Sequence, residues 1–171
     1  GDVDTITMTT GGVLAVDTVT GFIVAGGEDE LEIDLSDLNA LSAGTMEQAD
    51  ATVLATVASG TTLVTNLNVA GGTDFGAAAS DIITLSSGTA FTAATLETAI
   101  EGNSLSGGHG ANDTILIAYD NNASTFIAML TDNAGAVDGA TFTDVTITNI
   151  LELSDVTDAA TLLTTSVAII T

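Results

Sequence analysis

Thr114-Ile115-Leu116-Ile117-Ala118-Tyr119-Asp120-Asn121-Asn122-Ala123-Ser124-Thr125-Phe126-Ile127-Ala128-Met129-Leu130-Thr131 reads as one β-hairpin. Two runs of β-branched, aromatic and aliphatic residues flank a cluster of Asp, Asn and Ser, the punctuation expected between paired strands. Asx residues suit that turn because they tolerate φ > 0 and accept bonds from their own backbone. The spacing predicts strands over Thr114–Asp120 and Thr125–Thr131. It also sets Tyr119 and Phe126 on either side of the turn, where their rings pair across the ladder.

The same texture runs outward in both directions. Further strands are predicted at Asp4–Thr10, Val13–Val19, Phe22–Ala25, Leu31–Leu35, Thr52–Ala58, Thr62–Val69, Ile82–Leu85, Thr141–Leu153 and Val167–Thr171. Three segments read as short helices. Leu35–Met46 spaces Leu35, Leu38 and Leu41 three apart, Thr92–Glu101 puts Leu96 and Ile100 on one face, and Asp155–Leu163 offers Asp155 and Asp158 as caps. The fold class that follows is all-β or β-dominated: a β-sandwich or β-roll-like set of antiparallel sheets with two or three short helices. The chain divides into a β-rich segment over residues 1–70 and a second over 71–171, with one continuous domain as the alternative reading of this length. An acidic residue precedes a β-type run at Asp4, Glu30, Asp81 and Asp113, but the spacing is uneven, so no regular solenoid is predicted.

Charge prunes function. The chain has 171 residues, 23 Asp and Glu, one His and no Lys or Arg, for a formal charge of −23. With no basic side chain, phosphates cannot be neutralised, which excludes nucleic acid as a partner. Anionic membrane surfaces are excluded by the same electrostatics. A Walker-type phosphate loop and Schiff-base chemistry both need a lysine that is not there. Apolar residues make up 46 % of the chain, enough for a core. No apolar run approaches the about 18 residues of a spanning helix, so no membrane insertion is expected. Absent cysteines leave the redox compartment open. The opening Gly1-Asp2-Val3-Asp4 has neither an initiator Met nor a charged-then-apolar leader, so a processed piece or a secreted protein with its address elsewhere is expected. Carboxylates without internal cations are either spread and solvated or matched by metal ions, and abundant divalent cation points outside the cell.

The sharpest motif is Gly107-Gly108-His109-Gly110-Ala111-Asn112-Asp113-Thr114-Ile115. It resembles one copy of the calcium-binding G-G-x-G-x-D-x-U-x turn, with Asn112 at the Asp position and Asp113 one step late. The plainer reading is a glycine-rich loop entering a strand. Other acidic loops supply the oxygens that calcium prefers: Asp120 with Asn122, Asp132 through Asp138, Glu28 to Glu30, and Asp155 with Asp158. The calcium candidates are therefore Asn112, Asp113, Asp120, Asn122, Asp132 and Asp138. His109, between glycines, is expected at a mobile or turn position and not as a catalytic base. Few aromatics are left for a sugar platform, and the five Phe residues read as core anchors. No enzyme is read here, although a pair of carboxylates about 5–9.5 Å apart would be the mark of a glycosidase.

From Asp81 onward, strand Asp81–Leu85, helix Phe91–Glu97, the run Ala111–Asp120, a turn, return Thr125–Thr131, Val145–Ile150, Asp155–Leu162 and a terminal β run follow in order. This order and composition resemble the C-terminal region of RTX-like, type I-secreted bacterial surface proteins, including calcium-dependent S-layer proteins. The resemblance covers about half the chain, without the tandem G-G-x-G-x-D repeats of that group. It implies an extracellular or cell-surface protein in which calcium triggers folding and lattice or filament assembly. The expected partners are copies of the chain itself, and cell-surface polysaccharide as a second class. The competing expectation is a monomeric adhesin or binding module of a larger secreted protein. An ice-binding face is a weaker competitor, because Thr5-Ile6-Thr7 and Thr146-Ile147-Thr148 do not recur at fixed spacing.

Overall fold

In a computed structural model the hairpin lies in the middle of a seven-stranded sheet. The structure describes residues 4–8, 16–24, 29–56, 64–69, 72–76, 79–86, 90–104, 106–135, 140–162 and 167–170. Its strands are β1 (Asp4–Met8), β2 (Asp17–Val19), β3 (Asp29–Asp34), β4 (Met46–Glu47), β5 (Val64–Asn68), β6 (Ile82–Ser86), β7 (Thr114–Asp120), β8 (Ser124–Asp132), β9 (Val145–Ser154) and β10 (Val167–Ile170). The helices are α1 (Leu35–Leu41) and α2 (Ala93–Ile100), with a 3₁₀ turn at Ala159–Thr161. The large sheet runs β2-β9-β8-β7-β6-β5, with β4 beside β7; a smaller sheet runs β1-β3-β10. Both sheets combine strands from before and after residue 70.

The hairpin forms as its residues dictate. Tyr119 faces Phe126 in the β7/β8 register, and the rings stack with centroids 5.3 Å apart. Asn122 takes φ +67°, and the amides of Asn122 and Ala123 donate to Asp120 and Asn121 side chains at 3.1 and 2.9 Å. Between β8 and β9 the register slips at Ile127/Ala128, a bulge that brings Asn149 within 2.9 Å of the Tyr119 hydroxyl.

β7 is apolar on both faces because both faces are covered. Leu116 and Ala118 join Ile127, Met129, Leu151 and Leu153 in one core, which is closed by Leu31 and Ile33 of β3, Val167 and Ile169 of β10, and Leu38 of α1. Ile115, Ile117 and Tyr119 face the other way, into a core with Leu96 and Ile100 of α2 and with Phe75, Phe91 and Phe142. Phe75 and Phe142 meet edge to face at 5.7 Å. The layers are thus small sheet, large sheet and helix α2, and the phenylalanines serve as core anchors.

The β-dominated class with two short helices is what the chain adopts. The pairing is a correction: β7–β8 and β8–β9 are antiparallel, whereas β1–β3, β3–β10, β2–β9, β4–β7, β5–β6 and β6–β7 are parallel. Parallel neighbours need a long crossover. The chain from β6 to β7 supplies one that includes α2, which a hairpin-by-hairpin reading of turns does not anticipate.

Helix boundaries differ for identifiable reasons. Thr92 and Thr95 form a capping box at the start of α2, close to the predicted limits. The first predicted helix stops at Leu41, where the Ser42 amide closes on Leu38. Beyond it Gly44 passes so close to Asn112 that a Cβ there would overlap the Asn112 carbonyl oxygen. Met46 and Glu47 then enter the sheet. Among the described residues of Asp155–Leu163 only the 3₁₀ turn forms, capped by Asp158, and Asp155 itself sits at φ +74°, outside the helical region. Phe22–Val24 is irregular but buries Phe22 and Val24, and Val53 makes only an isolated bridge with Glu47. The predicted strand residues 9–10, 13–15, 25, 57–58, 62–63 and 171 lie outside the described residues.

Candidate functional site

The glycine motif becomes the loop that leads into β7, and it packs against the segment Thr45–Asp50. Asp113 is the knot between them. Its Oδ1 accepts from the Thr45 amide at 2.9 Å and its Oδ2 from the Gly110 amide at 2.6 Å. Gly110 must be glycine for this: a Cβ there would lie 2.6 Å from Asp113 Oδ2. Asn112 takes φ +69° and donates its amide to the Asp132 carbonyl at 2.7 Å, while the Asp132 amide donates to the Asp113 carbonyl at 3.0 Å. The Asp132 side chain in turn accepts from the Ala134 and Gly135 amides at 3.2 and 3.1 Å.

His109 is the correction at this site. It is buried, 5 % exposed, and not at a free turn. Its Nδ1 lies 2.6 Å from Glu47 Oε2, and its Nε2 is 3.1 Å from the Ala49 carbonyl oxygen. That His109 contact is the one close partner of this carboxylate oxygen, which has no other donor among the described residues. Burial pushes the Glu47 carboxyl above the usual carboxylate range, with a smaller upward push from Asp113 and an opposing pull from His109. The sequence does contain a signal for this pair: in a chain without Lys or Arg, the one ionisable nitrogen side chain is the natural partner for any carboxylate that must be buried.

Of the sequence-derived calcium candidates, Asn112, Asp113 and Asp132 meet at the start of β7 and the end of β8. Asp120 and Asn122 lie at the opposite end of the hairpin, about 23 Å away along a seven-residue strand. Asp138 lies outside the described residues. At the far end Asp120 accepts from the Asn122 amide and, at 3.4 Å, from the Ala159 amide. Among the described residues no three His, Cys, Asp or Glu side chains converge on a common metal position.

A wider pattern emerges from these contacts. Asp29, Asp34, Asp50, Asp74, Asp158 and Glu97 also accept backbone amides, from Ile23, Ser36, Thr52, Gly76, Ala160 and Ile147. These carboxylates, lacking cations, satisfy backbone N–H groups, most of them in turns and helix starts. The Ser106 hydroxyl beside Asp74 and the Ser36 hydroxyl beside Asp34 hold both carboxyls below the ordinary 3.8.

These shifts set a pH profile. Asp34 and Asp74 are depressed, so their stabilisation is present above their ordinary 3.8 and is lost as pH falls through the lower folded values. Glu47 is raised above its ordinary 4.5, so its contribution is present in the acid form and is lost as pH rises through the folded value. Self-repulsion of the anionic chain grows in the same upward direction. Melting temperature followed by circular dichroism from about pH 3 to pH 8 is therefore expected to peak between the two ordinary values, at about pH 4, and to fall on both sides. A plateau extending to neutral pH would show that Glu47 carries no such burden.

An open cavity of about 290 Å³ lies elsewhere, lined by Phe22, Ile23, Val24, Asp155, Val156, Thr157, Asp158 and Thr161. No helix among the described residues is long and apolar enough to cross a membrane. No protein-family model, curated protein or solved structure matches this chain.

Proposed function

We propose that this chain is an extracellular structural domain that assembles with copies of itself into a surface layer or filament, with calcium offsetting the carboxylate charge. One observation carries the reading. Many of the described carboxylates accept backbone amides and one, Glu47, meets a basic side chain, so the folded domain keeps nearly all of its charge of −23. Such a body repels its own copies in dilute salt. Close packing then requires counter-ions from the medium, and the oxygen-rich loops at both ends of the hairpin are where calcium would sit: Asn112, Asp113 and Asp132 towards one end, Asp120 and Asn122 at the other. A layered β body with strand edges supplies the contacts by strand addition. The reading is non-catalytic, in keeping with His109, whose two ring nitrogens are already engaged by Glu47 and Ala49.

A monomeric adhesin module of a larger secreted protein is the second reading. The cavity between Phe22–Val24 and Asp155–Thr161, half apolar and otherwise lined by two aspartates and two threonines, is the feature that favours it.

Electron microscopy with light scattering, in millimolar calcium and again after EDTA, tests the proposal. Sheets or filaments that form with calcium and disperse without it are the expected result. Assembly indifferent to EDTA keeps the structural role and removes calcium from it. A monomer in both conditions overturns the structural reading in favour of the adhesin module.

A further inference from the structure

The two edges of the large sheet are protected very differently. Natural sheets block edge-to-edge pairing with charges, short strands or coverage. The β2 edge is only three residues long and carries Asp17. The β5 edge is five residues, Val64-Thr65-Asn66-Leu67-Asn68, and carries no charge. It lies inside Ala51–Thr73, the longest stretch of this chain without an ionisable side chain. In so acidic a chain, that gap falls on the one place where a charge would normally guard the sheet. Among the described residues β5 pairs with β6 alone.

The small sheet offers no equal. Its β1 edge opens with Asp4. Its β10 edge is also uncharged, but Val167, Ala168 and Ile169 are 0 %, 3 % and 1 % exposed, so that edge is already covered. In β5, Asn66 and Asn68 are exposed and the other three residues half-buried.

We infer that β5 is the self-association edge of this protein: two copies pair their β5 strands antiparallel about a twofold axis, joining two large sheets into one. The occupant is a second copy for an electrostatic reason. A chain of charge −23 can approach its own kind only where no carboxylate enters the contact, and β5 is such a place. Identical edges related by a twofold meet antiparallel, which makes the contact isologous and closed. Pairing of β5 with β2 of another copy would instead bring in Asp17 and only three residues of ladder. This inference rests on the self-assembly reading above and gives its first step, a dimer that calcium-dependent contacts then extend.

Sedimentation in EDTA at moderate salt tests it separately from calcium. The wild-type chain should weigh twice its 16.9 kDa. Asn66→Glu with Asn68→Glu, both at exposed positions, should return it to the monomer, and so should Asn66→Lys with Asn68→Lys. An equimolar mixture of the two doubly substituted chains should recover the dimer, because opposite charges then face each other. Thr18→Glu on the β2 edge should leave the dimer unchanged. Circular dichroism of each variant should match wild type. A wild-type monomer throughout, a dimer that survives both double substitutions, or a mixture that stays monomeric would each overturn the β5 assignment. If calcium-dependent sheets still form from the Glu variant, the structural role stands and only the edge assignment fails. If the dimer forms as described but no larger assembly appears with calcium, the edge assignment stands and the layer or filament reading fails.

Discussion

His109→Ala lowers stability by about 3 kcal/mol at neutral pH, the low end of the range for removing one partner of a buried ion pair. The low end applies because the Glu47 side chain remains 11 % exposed while that of His109 is 1 % exposed. The loss arises from Glu47, left as a buried carboxylate without its one close side-chain partner, more than from the missing imidazole contacts. Two further results follow from that cause. Adding Glu47→Gln to His109→Ala recovers much of the loss, because the uncompensated charge is gone. The deficit also shrinks as pH falls through the raised Glu47 value, since a carboxylic acid needs no cation. Urea titrations of wild type, both single variants and the double variant at pH 7 and at about pH 4.5 read all of this. A deficit that is equal at both pH values and unaffected by Glu47→Gln would mean that His109 acts by packing alone.

Asp113→Ala costs about 2–4 kcal/mol, the worth of two charge-assisted hydrogen bonds less the rehydration of the released amides. Those amides belong to Thr45 and Gly110, so the substitution unties the β4 approach from the glycine loop. Removing Asp113 also removes a charge that presses on Glu47, which trims the loss. The calcium dependence of the effect separates two roles for one residue. As a backbone clamp, Asp113 gives the same loss in EDTA and in calcium. As a calcium ligand, it gives a loss that is larger in calcium, where wild type alone gains from bound metal. Paired melting curves in the two conditions decide between them.

Much of the fold is readable from local pattern. The Asp120–Ser124 turn, the flanking strands and the Tyr119–Phe126 pair follow from neighbours in sequence, and so do the caps of α2. Asp155–Leu163 misled because capping residues and a short apolar run look alike before a 3₁₀ turn and before an α-helix. Leu35–Met46 misled at its end, where a tertiary constraint, the approach of Gly44 to Asn112, overrode helical spacing. The carboxylates were the larger gap. Composition offered solvation or metal ions, and the fold added a third answer in the backbone amide. Those donors are invisible in a list of side chains.

By itself, the sequence determined that this chain is β-dominated and that Ile115 to Leu130 fold back on each other, and its charge sets the expectation that nucleic acid and anionic membranes are not its partners. Each of these rests on short-range pattern or on total charge, which need no knowledge of distant contacts. Only the tertiary structure decided the parallel pairing of β5, β6 and β7, the layering of two sheets and α2, and the junction of His109, Glu47 and Asp113. The reason is separation along the chain. His109 meets Ala49 across 60 residues and Asp113 meets Thr45 across 68, so partner choice depends on how the sheets stack and not on any local run.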